Sequence, residues 1–125
     1  MKPTACSPQP GDPGYRCPVA ITLEIIGGKL KALILWHLTF KTLRFSQLQR
    51  RLAGITQKML TQQLRELERD GLVHRQVHAE VPPRVEYSLT TEGRTLQPIL
   101  TQMCEWGKYY VKLRDAEPSR PQGGS

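Results

Sequence analysis

Gln57, Lys58, Thr61, Gln62 and Arg65 stand at helical spacing within one short stretch of this chain. Their side chains donate and accept hydrogen bonds in pairs. Glutamine can bond adenine through two atoms, arginine and lysine can bond guanine, and threonine can touch the methyl of thymine. A helix with this set on one face is equipped to read base edges in the major groove of DNA. Lys29, Arg44, Ser46, Arg50 and Arg51 lie nearby and suit phosphate instead. Phosphate contacts fix register and carry no base information. A third set, Arg75, His78 and Arg84, flanks a proline turn and can reach the backbone or the adjoining minor groove. An ordinary wet helix face has a similar composition, so the weight falls on the elements that would position these groups.

The stretch from Arg44 to Leu72 reads as two short helices joined by a tight turn. The first, about Ser46 to Leu52, takes Ser46 as its N-cap, with Leu48 and Leu52 as its apolar stripe. Ala53-Gly54-Ile55 is the turn. Thr56 caps the second helix, and Ile55 and Leu60 occupy the positions of a hydrophobic staple. Leu60, Leu64 and Leu67 recur at i, i+4 and i+7, so the five polar side chains above fall on the opposite face. Asp70-Gly71 ends that helix. From His74 to Thr90 the alternation of Val73, Arg75 and Val77, then Val85, Tyr87 and Leu89, around Glu80-Val81-Pro82-Pro83 predicts a two-stranded hairpin. A helix pair followed directly by a hairpin is the pattern of a winged helix-turn-helix. The predicted class is mainly α with a small β-hairpin wing.

Other helices flank this unit. One starts at Pro18 and closes at Gly27-Gly28. Its Val19, Ile21, Leu23, Ile25 and Ile26 cover so much of the surface that it must be buried or at an interface. The next runs from about Lys31 to Phe40 and carries Trp36. The last spans about Glu92 to Leu113 with Thr91 as cap. Pro98 either kinks it or marks its true start. Residues 1–16 and 115–125 are rich in Pro and Gly or polar residues and lack apolar periodicity, so they are expected to be a flexible arm and tail. The folded unit is residues 17–114.

The chain has 125 residues, enough for one domain, and a formal net charge of +7. Between Arg44 and Arg75 there are seven basic side chains against three acidic ones, so the excess lies where the helix pair lies. That favours an anionic partner there. The most apolar run, Ala32 to Trp36, is too short to span a bilayer. Residues 1–16 hold no apolar stretch for a signal peptide, so the cytoplasm is the expected compartment and no membrane partner is expected. Cys6, Cys17 and Cys104 are odd in number and not closely paired, against a secreted disulfide framework. His74 and His78 would lie roughly 13 Å apart along a strand, too far to share a metal. No nucleophile elbow, phosphate-binding glycine loop or paired-carboxylate signature occurs. Glu66, Glu68 and Asp70 read as a solvated helix end. Neither an enzyme nor a cofactor is expected, and nothing identifies a small-molecule effector.

The runs CPV (Cys17 to Val19), IGGK (Ile26 to Lys29), LILWHL (Leu33 to Leu38), LRFSQLQRRLAGIT (Leu43 to Thr56), KMLTQQLRELERDGLVHR (Lys58 to Arg75) and VPPRVEYSLTTEG (Val81 to Gly93) closely resemble bacterial HxlR-type transcriptional regulators. The resemblance covers nearly all of Cys17 to Leu113. It implies a winged helix-turn-helix homodimer on double-stranded DNA, bound to a palindromic operator, with the first and last helices as the dimer interface. Repression by steric blocking is the default it implies. Leu30 departs from the family, which usually has tryptophan after GGK. Some members sense oxidants or electrophiles through a cysteine at the place of Cys17. Here a helix start and Arg16 adjoin that thiol, and both favour a thiolate, so Cys17 is the candidate redox residue. The plainer reading is a small residue capping the interface helix. Cys6 is a conceivable resolving partner, and Cys104 reads as packing. A winged helix that binds only protein is the competing reading, and it calls for a neutral or apolar face where this chain has a polar, basic one.

Overall fold

The computed structural model describes residues 16–116. Cys6, the expected arm up to residue 15 and the expected tail from residue 117 lie outside the described residues. The elements in chain order are α1 (Pro18–Ile26), α2 (Lys29–Phe40), β1 (Leu43–Arg44), α3 (Phe45–Arg51), α4 (Gln57–Arg69), β2 (Val73–His78), β3 (Arg84–Leu89), α5 (Thr91–Arg94) and α6 (Gln97–Asp115). Proline at the start of α1 and Gly28 at φ 79 between α1 and α2 bear out the first boundary. Only glycine takes that left-handed conformation freely.

The core forms where apolar stripes of these elements meet. Ile34, Leu35 and Leu38 of α2, Leu48 of α3, and Leu60, Leu64 and Leu67 of α4 are all buried. Leu43, Val73, Tyr87 and Leu89 close the core from the sheet, and Leu100 closes it from α6. Leu30, at the family's tryptophan position, is half-buried and packs against the same cluster. Trp36 and Phe40 meet edge to face at 4.9 Å, though Phe40 itself stays exposed.

Four local expectations need correction. The hairpin is part of a three-stranded antiparallel sheet in the order β1-β3-β2, with Leu43 opposite Tyr87 and Arg44 opposite Glu86. A two-residue strand pairing with a distant partner leaves no periodic signal. Ser46 is not the N-cap of α3. That helix begins at Phe45, and the Gln47 side chain accepts from the Arg44 backbone N–H at 2.8 Å, satisfying the start from within the first turn. Thr90, not Thr91, caps the segment after β3. Its hydroxyl accepts from the Gly93 N–H at 2.9 Å and donates to the Gly71 carbonyl at 2.6 Å. The single last helix is two: short α5, then α6 with Pro98 in its first turn, so the proline marks a start rather than a kink.

α1 and α6 are the least covered elements. Ile26 is the only buried residue of α1 and Leu100 the only one of α6. Val19, Ile21 and Leu23 are exposed, as are Met103, Trp106, Tyr109 and Val111. α6 runs on through Asp115, one residue into the expected tail.

The turn from α4 into the sheet is locked to α5 by a close approach. Leu72 carbonyl accepts from the Thr90 N–H at 3.0 Å, and a Cβ on Gly93 would fall 2.2 Å from that same carbonyl oxygen. A methyl there must push backbone, not a side chain. Gly93→Ala is expected to lower stability by about 1–3 kcal/mol, the usual cost of overpacking. Urea denaturation reads it directly, and an unchanged midpoint would show that the segment yields freely.

Candidate nucleic-acid interface

The position of α4 follows from its two faces. Thr56 Oγ1 accepts from the Met59 N–H at 3.1 Å, which closes the helix start. Ile55 just before it and Leu60 just inside it are both buried in the core, as the staple requires. Leu60, Leu64 and Leu67 then hold the helix down. Gln57, Lys58, Gln62 and Arg65 are exposed on the other side, and Thr61 is half-buried between them. All five line one shallow, open groove together with Glu66 and Arg69. Gln57, Thr61 and Arg65 also border a cleft of about 490 Å³ between α4 and the sheet, where Arg75 of β2 and Phe45 of α3 join them.

The expected phosphate ligands divide by place. Arg44 and Ser46 are exposed at the start of α3, and Arg50 and Arg51 are exposed at its end. Lys29 and Arg51 border one groove with the Ala53–Ile55 turn and His37. Burial, and then the Arg51 charge, push the His37 pKa down from the ordinary value, which keeps the ring neutral at pH 7. Among the described residues, no ion pair ties Lys29, Arg44, Arg50, Arg51, Lys58, Arg65 or Arg75 to a carboxylate.

The hairpin presents a different picture. Arg84 pairs with Glu80 at 2.9 Å and with Glu86 at 3.5 Å, and His78 Nε2 lies 2.9 Å from the same Glu86. Two of the three expected wing residues are therefore engaged by carboxylates, His78 across the strands and Arg84 within the turn and along its own strand, and among the described residues Arg75 has no such partner. At the other end of the fold, Cys17 is the N-cap residue of α1, where its carbonyl accepts from the Ile21 N–H at 3.0 Å. The thiol is half-buried. Arg16, the cation expected beside it, forms an ion pair with Glu24. Cys104 is also half-buried and borders a small apolar cavity with Trp36 and Leu100.

The sequence reading missed one pair. Glu66 is not simply a solvated helix end. Lys31 of α2 is only 8% exposed, and its Nζ meets Glu66 Oε1 at 2.6 Å. Gln62 Nε2 lies 3.4 Å from the other carboxylate oxygen. The hydrogen bond from Lys31, followed by that from Gln62, holds the Glu66 carboxyl below the ordinary glutamate value. The missed signal was periodic. Lys31, Ile34, Leu35 and Leu38 fall at i, i+3, i+4 and i+7, so a lysine fills the first position of the buried stripe of α2. A cation in such a place needs a buried-side partner.

No group of three or more metal-ligating side chains occurs among the described residues, and no described helix is long and apolar enough to cross a membrane. The HxlR-like helix-turn-helix family matches residues 25–115 of the chain. YdeP of Bacillus subtilis (strain 168), described as an uncharacterized HTH-type transcriptional regulator, is 55% identical over 105 residues, 83% of this chain and 82% of that protein. Among solved structures, the redox regulator HypR in its oxidized form is 56% identical with a TM-score of 0.72, over 74% of this chain and 96% of that one. The reduced form of the transcriptional regulator YodB from B. subtilis is 34% identical with a TM-score of 0.65, over 74% and 91%.

The Lys31–Glu66 pair has a pH signature. A carboxylate whose folded pKa is depressed stabilises the fold above its unfolded value and loses that contribution as pH falls through the folded one. Below about pH 4.5, the ordinary glutamate value, wild type is therefore expected to lose stability more steeply than Glu66→Gln. Urea midpoints taken between pH 7 and pH 3 measure the difference. Parallel curves would show that the pair adds nothing to the fold.

Proposed function

The chain belongs to the HxlR-like helix-turn-helix family, and on that premise we propose that it is a DNA-binding transcriptional regulator whose helix α4 reads the major groove. One observation carries the reading. The face of α4 turned away from the core holds Gln57, Lys58, Thr61, Gln62 and Arg65, free of competing carboxylates except at Gln62. Lys29, Arg44, Ser46, Arg50 and Arg51 surround it as backbone ligands, and Arg75 extends it toward the hairpin. His78 and Arg84 serve first to brace the hairpin through Glu86, with Arg84 able to add a backbone contact at the wing. A protein-binding winged helix has no use for so polar and basic a face. No catalytic role is assigned to the chain, and it acts where the chromosome is, in the cytoplasm.

The working unit is a homodimer. Leu23 on α1 and Trp106 on α6 are 60% and 61% exposed, and their apolar neighbours on both helices are uncovered as well. Large exposed apolar patches mark association sites, and obligate interfaces resemble a core cut in half. A two-fold dimer requires an inverted-repeat operator with half-sites about one turn, roughly 34 Å, apart. Occupying such a site blocks polymerase, so repression is the expected sign.

A second reading adds thiol sensing at Cys17. Its support is the position of Cys17 at the start of α1, beside the proposed interface, and the likeness to a protein described as a redox regulator. A bulky adduct or an intersubunit disulfide at that place would turn the two α4 helices relative to each other. Operator binding before and after diamide treatment, in wild type and Cys17→Ser, tests it. Equal responses of the two proteins would remove Cys17 from the mechanism.

Sedimentation equilibrium is expected to give a dimer at micromolar concentration, and a monomer would refute the assembly. Selection of bound DNA from a random pool is expected to return an inverted repeat. Thr61→Ala and Arg65→Ala should relax preference at particular base pairs, by about 1–3 kcal/mol where the contact is bidentate. Arg50→Ala and Arg75→Ala should instead weaken binding to every sequence and reduce the salt slope by about one each. If Arg65→Ala affected operator and random DNA equally, the reading face would be misplaced.

A further inference from the structure

Lys31 has no acceptor of its own and sits almost wholly inside the protein. Its Nζ takes Glu66 Oε1, so the charge entering from α2 neutralises a carboxylate that would otherwise face phosphate across the α4 groove. The second oxygen of Glu66 can only accept. Gln62 stands one turn earlier on the same helix face, with Nε2 at 3.4 Å from that oxygen. Reversing the amide would set oxygen against oxygen. The carboxylate therefore turns the Gln62 nitrogen inward and the Gln62 carbonyl outward. An unrestrained glutamine can swivel to donate or accept, and so tolerates several bases.

We propose that the Lys31–Glu66 pair pins the amide of Gln62 with its carbonyl toward DNA, making Lys31 and Glu66 positioning residues that set base preference at one pair of each half-site. This rests on the reading of α4 as the recognition helix. The outward carbonyl accepts from adenine N6, and the remaining N–H of the amide can meet adenine N7. Guanine offers acceptors at both O6 and N7 and is repelled by the carbonyl. The pair thus acts against guanine more than it acts for adenine. It reaches the groove from the core side of α4, through a residue that never touches DNA.

The test is base preference, measured by selection from a random DNA pool with full-length protein. Circular dichroism checks that each variant is folded. Wild type is expected to prefer adenine over guanine at the Gln62 position. In Glu66→Gln the new amide can donate as well as accept, so that preference should fall roughly tenfold. Lys31→Met leaves Glu66 charged and unpaired in the groove, and should weaken binding to operator and random DNA alike. Lys31→Met with Glu66→Gln should regain general affinity while keeping the relaxed preference. A purely structural pair would shift melting temperature in each variant and leave the base profile untouched, and that profile in folded Glu66→Gln would overturn the proposal. If Lys31→Met does not fold, Glu66→Gln and Glu66→Ala still decide it. A wild-type protein that selects no sequence at all would overturn the DNA reading instead.

Discussion

One helix has to serve two environments at once. α4 is fastened to the core by Leu60, Leu64 and Leu67, each with almost no exposure, and it offers its remaining circumference to the surroundings. Thirteen residues leave little freedom in dividing those roles. The leucine stripe fixes rotation about the helix axis, and the Thr56 cap with Ile55 fixes where the helix begins. Direction and height of every polar side chain on the outer face follow from those two constraints. The hairpin, the turn and α2 are arranged around a helix whose azimuth is already decided.

Charge is sorted in the same way. Lys58 and Arg65 on α4 and Arg44, Arg50 and Arg51 around α3 are without carboxylate partners among the described residues, whereas Arg84 and His78 near the hairpin tip meet Glu80 and Glu86. Exposed pairs of this kind contribute little to stability, but the cluster of His78, Arg84, Glu80 and Glu86 joins the two strands beside their turn, where β2 has left the core. β2 has a single buried position, Val73, and in its outer half Val77 stays exposed opposite Val85. Polar contacts to Glu80 and Glu86 add there to the little apolar packing that the outer half of the hairpin has.

Most of the architecture was legible because it rests on periodicity and on local chemistry. The leucine spacing of α4, the Thr56 cap and the alternation of Val85, Tyr87 and Leu89 are written within windows of a few residues. β1 was not legible, since Leu43 and Arg44 become a strand only by pairing with Tyr87 and Glu86 far along the chain. The start of α3 was misplaced because Ser46 is a good capping type, while the group that acts is the side chain of Gln47. The role of Glu66 was hidden for a different reason. Its partner Lys31 sits on another helix, and a carboxylate read along its own helix looks like any solvated one. The five outer residues of α4 were found together because one helix carries them. The engagement of Arg84 depended on the turn folding Glu80 back onto it and on Glu86 two residues along the same strand, which composition does not reveal.

β1 is two residues long, yet it bears on the mechanics of the surface proposed to read DNA. It joins the entrance of α3 to β3, the central strand of the sheet, and the Thr90 and Gly93 contacts tie the far end of that strand to the exit of α4. The helix pair and the wing are thereby welded into a single plate. α6, by contrast, has one fully buried side chain, Leu100, near its beginning, with half-buried Cys104 beside Trp36 one turn on. In the homodimer proposed above, compliance would then lie at the root of α6 rather than in the plate that carries α4. A dimer of that kind would be a caliper, with stiff jaws and a gap set at the hinge.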